Sequence, residues 1–487
     1  MQDIEQWIQN GLAYAFVGGP FALALLLGLL VPLILIGVGS ATRRVGESSR
    51  LALLLGTAAV GTTLLTALSG RVLHSEVEIA MHPFLKFEDG EGGRWGSLAS
   101  QVATILTLAL AGAEWFRWLT GGNRLPEKAR AIWLAAMTYF LISIVMSGLF
   151  GVFRNPRLND LYSVIVLTAI ALLGRGCTAD MWRKLRWVLL LPSAASLVAV
   201  VVAPKLVLLP DYASLIPGLG KRLYGMADHA NAIGMVAGVG LILEACPMVR
   251  RRPALLFVLC HGAVLLLAQS KTAWAGTFLA LLFVRWTWMQ DKVFKGDRWR
   301  TAMVLTIVAC VVLASASLAT AFGARSERWL RLLEGSGALT FTGRTEIWRI
   351  TLEEFYKSPL LGFGPSLWDL QYRAERGMLQ AGQAHNQFVH ILGQAGLLGM
   401  GALLVYLGMM FRGALANWRQ SQGLGFALLL MLLVRCWSEA PLRMVNLIGW
   451  ENWMHYVAFA SAVASATSAR AVEAARPPIV QVTRGVA

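Results

Sequence analysis

Residues 384–410 read AHNQFVHILGQAGLLGMGALLVYLGMM, and the change of character inside this stretch decides the architecture. Phe388 to Met410 is an apolar run long enough to cross a bilayer, which takes about 20 residues at the helical rise. Just before it, Arg325 to Gln383 carries too many charges to lie in hydrocarbon. His385 therefore sits where water meets membrane. Working outward, apolar segments recur at about 14–39, 51–70, 98–118, 131–152, 161–174, 187–203, 229–246, 254–270, 272–289, 301–322, 388–411, 424–437 and 453–469. Several of these thirteen segments are short or adjacent, so the pattern predicts an all-α, polytopic integral membrane helix bundle of about 12–13 transmembrane helices. Composition agrees, with 56 % hydrophobic and 14 % charged residues where a soluble domain carries about a quarter charged. The first segment follows Asp3 and Glu5 and lacks both a basic leader and a small-residue cleavage site, so it is expected to remain as a span.

The net charge of +16 is a signal of topology. Alternate loops, beginning with Arg43, Arg44 and Arg50 and ending with the tail, hold 24 basic against 7 acidic residues, while the opposite set holds 18 against 19. Basic loops stay in the cytoplasm. That rule puts the N-terminus outside, the C-terminus inside, and Arg71–Ser97, Ala203–Asp228 and Gly323–Ala384 outside. A positive charge spread in this way gives no reason to expect nucleic acid as a partner. The organisation expected is a bundle of ten spans over 1–322, a helical cap loop over 323–387, three spans over 388–469 and a cytoplasmic tail over 470–487. The five cysteines fall in spans or cytoplasmic loops without metal spacing, which makes them small buried residues.

The cap loop has a readable interior. Trp348, Leu352, Phe355 and Tyr356 form one apolar stripe on a helix over Arg344–Lys357, stopped by Ser358-Pro359. After the Gly362-Phe363-Gly364-Pro365 turn, Leu367 to Leu379 is expected to form a second helix. The loop is too small for an independent domain and reads as a helical cap over the membrane.

Residues with chemical potential gather on the outside. A histidine at the start of a membrane helix feels the positive end of the helix dipole, which disfavours its protonated form and leaves a ring able to accept a proton. The position of His385 equally suits an interfacial capping residue, and Asn386 is a capping or ring-orienting neighbour on either reading. Arg222 and Arg344 are both outside and near the membrane plane, where two guanidinium forks suffice to hold a diphosphate; solvated or carboxylate-paired arginines are the plainer account. Arg435 and Glu439, four residues apart at the outer end of a span, are intramembrane charges that either neutralise each other along a helix or serve a site. Lys271 lies at the tip of the hairpin Gln269-Ser270-Lys271-Thr272, but adjacent helical residues point in different directions, so it and Ser270 do not make a convincing dyad. Metal-ligand spacings are missing. The acidic loop with Glu76, Glu78, Glu88, Asp89 and Glu91 is open to two readings, an oxygen-rich cation site or a solvated exported loop.

Several pieces together resemble the O-antigen ligase and Wzy-type polysaccharide polymerase superfamily. They are Arg222-Leu223-Tyr224-Gly225 followed by His229-Ala230-Asn231, the Gln269–Thr272 hairpin, Gly343-Arg344-Thr345-Glu346-Ile347-Trp348, Pro359-Leu360-Leu361-Gly362-Phe363-Gly364, and His385-Asn386 followed after nine residues by Gly396-Leu397-Leu398-Gly399. The resemblance covers roughly residues 218–410 and implies a helical membrane bundle with a long periplasmic loop before the histidine helix. It implies a multi-pass protein of the bacterial inner membrane with its active site facing the periplasm. The activity implied is transfer of a glycan from undecaprenyl diphosphate to an acceptor hydroxyl, without metal or cofactor. By position, His385 is the implied base or acceptor-orienting residue, with Arg222 and Arg344 on the donor diphosphate; Asn386, Lys271, Arg435 and Glu439 are candidate supporting residues on the reading of their own chemistry above. One departure is the additional first span, with the N-terminus outside.

Lipid A-core as acceptor makes the protein a ligase, a second glycan makes it a polymerase, and a protein hydroxyl makes it an oligosaccharyltransferase; the motifs are shared by all three. Membrane lipids are its surroundings in each case. A transporter or flippase, the reading from a different class, calls for internal repeats and broken spans at the midplane. A metal-dependent transferase would depend on Glu76 and Glu78.

Overall fold

Helices dominate the computed structural model, which describes residues 37–42, 44–74, 93–121, 125–155, 160–212, 220–250, 252–293, 344–378, 381–416, 418, 421–444 and 447–474. In chain order they are α1 (Glu47–Ala67), α2 (Gly93–Leu119), α3 (Glu127–Phe140, continued through a π-helical turn, Leu141–Met146, into Ser147–Phe150), α4 (Leu161–Leu172) and α5 (Ala179–Val202). A short α6 (Pro204–Val207) and the two-residue strands β1 (Leu208–Leu209) and β2 (Arg222–Leu223) follow, the strands pairing antiparallel with Leu208 opposite Leu223. Then come α7 (Ala230–Ala245), α8 (Leu255–Ala268), α9 (Lys271–Val293), the cap helices α10 (Arg344–Lys357) and α11 (Leu370–Glu375), and finally α12 (Gln387–Ala416), α13 (Leu424–Ser438) and α14 (Trp450–Ala474).

Eleven of these helices coincide with apolar segments of the sequence, while the segment at 301–322 and all of the segment at 14–39 but its last three residues lie outside the described residues. Among the described residues, five helices are long and apolar enough to cross a membrane by length and composition, and four shorter apolar helices pack with them. The arrangement follows from the distribution of apolar residues around each helix. In α7 every residue from Ala230 to Gly240 is buried, which places this helix at the centre, whereas α2 exposes Val102, Ile105 and Leu106 and lies at the rim. Buried indoles are satisfied across the bundle, Trp453 Nε1 donating to Leu55 O (3.0 Å) and Trp450 Nε1 to Met226 O (3.1 Å).

Spans joined by short loops run in opposite directions, so like ends meet. Arg50 and Arg117 reach Glu114, and Arg186 Nε lies 2.9 Å from Glu244 Oε1, all at one end of the bundle. The opposite end collects the C-termini of α1, α8 and α13 and the N-termini of α7, α9, α12 and α14, and the cap sits there.

The cap has its own small core, built from Ile347, Ile350, Phe363, Leu367, Trp368 and Tyr372. Helix α10 has the bounds read from the sequence, but its buried face runs through Ile347, Ile350, Thr351 and Glu354, and Tyr356 is exposed. The physical reason is polar. Glu354 accepts from Tyr372 Oη (2.8 Å) and Lys357 Nζ (2.8 Å) and meets Arg376, while Thr351 Oγ1 accepts from Trp368 Nε1 (3.0 Å), so hydrogen bonding draws these two residues inward. The second cap helix is shorter than the sequence indicated. Trp368 takes a left-handed φ of 68° and Asp369 caps the helix by accepting from Tyr372 N, so the helix starts only at Leu370.

The cap is locked to α12 through backbone. Gly396, with φ 61°, breaks α12 and turns the amides of Leu397 and Leu398 outward to Pro359 O (2.8 Å) and Leu360 O (3.2 Å). Phe363 N and Gly364 N donate in return to Gly393 O and Gln394 O, and Val152 N and Phe153 N donate to Gly362 O and Phe363 O. A Cβ at Gly396 would stand 2.4 Å from Leu360 C, and one at Gly362 2.5 Å from Gln394 C, so neither position admits a side chain. The glycines of the two sequence motifs thus serve one backbone junction. The π-helical turn in α3 joins it by presenting Ser143 O to Gln394 Nε2 (2.8 Å).

Candidate active site

The junction ends where α12 begins, and the residue held there is His385. Trp348 Nε1 donates to Ala384 O (2.7 Å) from the cap side, and Asn386 Oδ1 accepts from Phe388 N (3.0 Å) and Val389 N (3.1 Å) as the helix cap. Between these anchors His385 takes a left-handed φ of 50°, an uncommon conformation for a residue with a Cβ and one that surrounding contacts must hold.

Glu439 supplies those contacts. It is the first residue past α13, in extended conformation, and is 2 % exposed. His385 Nδ1 lies 2.8 Å from its Oε2, which also accepts from Gln383 Nε2 (2.6 Å), while its Oε1 accepts from Asn231 Nδ2 (2.8 Å). Two amide donors and the nearby guanidinium of Arg435, Nη1 at 3.9 Å from Oε1, surround an acceptor-only carboxylate. Facing that acceptor, His385 Nδ1 must donate, which leaves the lone pair of the neutral ring on Nε2. The pairing of Glu439 with Arg435 read from the sequence is present, and because α13 stops at Ser438 the carboxylate also reaches His385.

Asn231 extends the network to an arginine. Its Oδ1 accepts from Arg222 Nη2 (2.9 Å), and Arg222 Nε donates to Ala268 O (2.9 Å) at the end of α8, with Tyr212 stacked against the guanidinium. Strand β2, bonded to β1, delivers Arg222 to this place. Arg344, at the start of α10, is within electrostatic reach of the same group: burial draws it down from the usual guanidinium value, Glu439 opposes, and Arg435 and Arg222 add to the lowering. The structure therefore brings His385, Asn386, Arg222, Arg344, Arg435 and Glu439 to one end of the bundle. Lys271 stands exposed at the start of α9, outside the cavity that His385 faces.

That cavity has a volume of about 580 Å³. Besides His385, Arg435 and Glu439 it is lined by side chains that the sequence did not single out, among them Asp228, His229, Gln383, Arg443 and Glu451. Gln383 Oε1 accepts from Ala440 N (2.6 Å) and Arg443 Nη1 donates to Gly382 O (2.8 Å), which pins the loop after α13 to the residues before His385. Arg71 is a staple in the wall, its three nitrogens donating to Leu206 O, Ala227 O and Gly225 O. The only sequence signal for Asn231 and His229 was their place in the His229-Ala230-Asn231 piece; for Gln383, Arg443 and Glu451 there was none beyond polarity at the rim of an apolar run. Among the described residues no three or more His, Cys, Asp or Glu side chains group as a cation would require, and the Glu76–Glu91 loop lies outside those residues.

A multi-pass, all-helical membrane protein with a histidine, carboxylate and arginine network at one end of its helices is the class that fold and site define. Residues 255–404 match the family model Wzy_C, O-antigen ligase, so this part of the chain is similar to that family. No curated protein matches the chain. The matched stretch contains Lys271, Arg344, His385 and Asn386, whereas Arg222, Asn231, Arg435 and Glu439 reach the site from outside it.

Proposed function

We propose that the protein transfers a glycan from undecaprenyl diphosphate to an acceptor hydroxyl at the periplasmic face of the bacterial inner membrane, the reaction being ligation of O-antigen to lipid A-core. The observation that carries this reading is the 2.8 Å contact between His385 Nδ1 and Glu439 Oε2, which leaves Nε2 as a base beside a polar cavity at the membrane end. The acceptor O–H gives its proton to Nε2 as its oxygen attacks the anomeric carbon. The bond from that carbon to the diphosphate oxygen breaks, and its electron pair leaves with the lipid diphosphate. Arg222 and Arg344 offset the charge that grows there, with no metal in the step. Attack opposite the leaving group inverts the anomeric configuration. Glu439 stabilises the imidazolium formed, and the proton is then released to water.

The test is His385→Ala in detergent-purified protein, with transfer and donor binding measured side by side. Transfer should fall by roughly 10²–10⁴, the usual contribution of a positioned acid–base group, while donor binding and thermal unfolding hold. Near-normal transfer would remove His385 from the chemistry. Polymerisation, the second reading, uses the same groups with another lipid-linked glycan as acceptor, and the family resemblance serves both. Gene deletion followed by glycan electrophoresis separates them: unattached lipid-linked polymer marks a ligase, single repeat units a polymerase.

A further inference from the structure

The cavity in front of His385 contains a second imidazole that the transfer step leaves without a part. His229 is the N-cap of α7, and its Nδ1 accepts from Asn231 N at 3.1 Å. Accepting there uses the Nδ1 lone pair, so in the neutral ring the proton is on Nε2. Tyr224, its ring centroid 5.1 Å away, packs against the imidazole and helps fix its plane. His229 and His385 are thus tied to one another through Asn231 and Glu439 and carry opposite polarity at Nε2, a donor on the first and an acceptor on the second.

Both rings line the cavity, and neither Arg222 nor Arg344 does. The remaining wall mixes acceptors and donors: Asp228 and Glu451, the amide of Gln383, His74, the guanidinium groups of Arg71, Arg373 and Arg443, and the ring of Tyr224. Arg435, 4 % exposed, leaves Nε and Nη1 without a hydrogen-bond partner among the described residues and lines the same space. Carboxylates and an amide among the arginines, with an aromatic face, match the hydroxyls and C–H face of a sugar, whereas a diphosphate calls for donors alone. The volume lies within the range of ligand sites, roughly 300–1,000 Å³.

We propose that this cavity is the subsite for the acceptor sugar, and that His229 determines acceptor specificity by giving its Nε2–H to an oxygen of the sugar whose hydroxyl His385 activates. The proposal rests on the glycosyl-transfer reading and adds the side of the reaction that the cavity serves.

The test uses the full-length purified protein with undecaprenyl-diphosphate-linked O-antigen as donor and lipid A-core from O-antigen-deficient cells as acceptor, repeated with a second lipid-linked repeat unit as acceptor. His229→Asn keeps an oxygen where Nδ1 caps the helix but presents nothing at the Nε2 position; His229→Gln restores an amide N–H near that position and gives up the cap. Asn should lower kcat/KM for the acceptor by roughly ten- to a hundredfold, the effect of leaving one buried polar partner unmatched, with donor KM and thermal unfolding as in the wild type. Gln should unfold at lower temperature and still recover part of the acceptor efficiency. Acceptor kcat/KM within twofold of wild type in His229→Asn overturns the proposal, as does a change confined to donor KM, which would hand the ring to the donor. Equal losses in both variants that follow unfolding temperature reduce His229 to a cap and overturn it as well. His385→Ala, assayed in parallel, keeps the two readings apart: lost transfer there beside normal acceptor use in His229→Asn removes the acceptor subsite alone.

Discussion

Replacing Glu439 by Gln changes one oxygen for an NH₂ group and little else in shape, which makes it the sharpest probe of the network. In the native site Oε2 receives His385 Nδ1 (2.8 Å) and Gln383 Nε2 (2.6 Å), and Oε1 receives Asn231 Nδ2 (2.8 Å). All three partners approach as donors, so the new amide nitrogen meets at least one donor whichever way it turns. Facing His385, it donates to Nδ1 and moves the ring proton to Nε2, which abolishes the base in its neutral form. Facing Asn231, it leaves that amide unpaired at about 1–3 kcal/mol and loosens Arg222 behind it. Removing the charge also strips the imidazolium formed in the reaction of its counter-ion; in serine proteases the equivalent Asp→Asn change costs about 10⁴ in kcat. Glu439→Gln should therefore lower kcat for glycan transfer by roughly 10²–10⁴ with donor binding near normal, and Glu439→Asp, which keeps the charge but shortens the reach, should recover only part. The assay is single-turnover transfer from a labelled lipid-linked donor, with unfolding temperature recorded for each variant. Transfer by a well-folded Glu439→Gln protein within about threefold of wild type would refute the claim that this carboxylate sets the tautomer of His385.

Arg222→Lys and Arg344→Lys should each weaken donor use and rescue only part of the loss seen with Ala, because an ammonium lacks the planar fork; the measurement is KM for the lipid-linked donor. Gly396→Ala must place an L-residue at φ 61° with its Cβ against Leu360, so it should destabilise the cap junction by about 1–2 kcal/mol or more and speed proteolysis within the cap, whereas Gly401→Ala on the same helix, with open space around its Cβ, should be silent in both readouts.

Among the described residues, the eleven apolar helices, their order and the bounds of α10 were legible in the chain because transfer into hydrocarbon is a sum over local side chains, and a run such as Phe388–Met410 declares itself without reference to any neighbour. The polar residues worth attention were legible for the same reason, as charges and imidazoles at the ends of such runs. Their partners were not. Glu439 is the neighbour of Arg435 that the sequence indicated, but its contact with His385 was hidden, and the inward face of α10 followed Glu354 and Thr351 rather than the apolar stripe, since a buried polar group goes where its hydrogen bonds are. Asn231 and Glu439 are 208 residues apart, and Gln383 and Glu439 are 56. No local pattern encodes such pairs; they exist because antiparallel spans bring alternate helix ends to one side and because two glycine motifs, Gly362 and Gly396, meet backbone to backbone and hold the cap there. The sequence alone determined a membrane helix bundle with a histidine at its edge, and the tertiary structure alone decided which carboxylate that histidine faces, because only packing sets distances between residues so far apart along the chain.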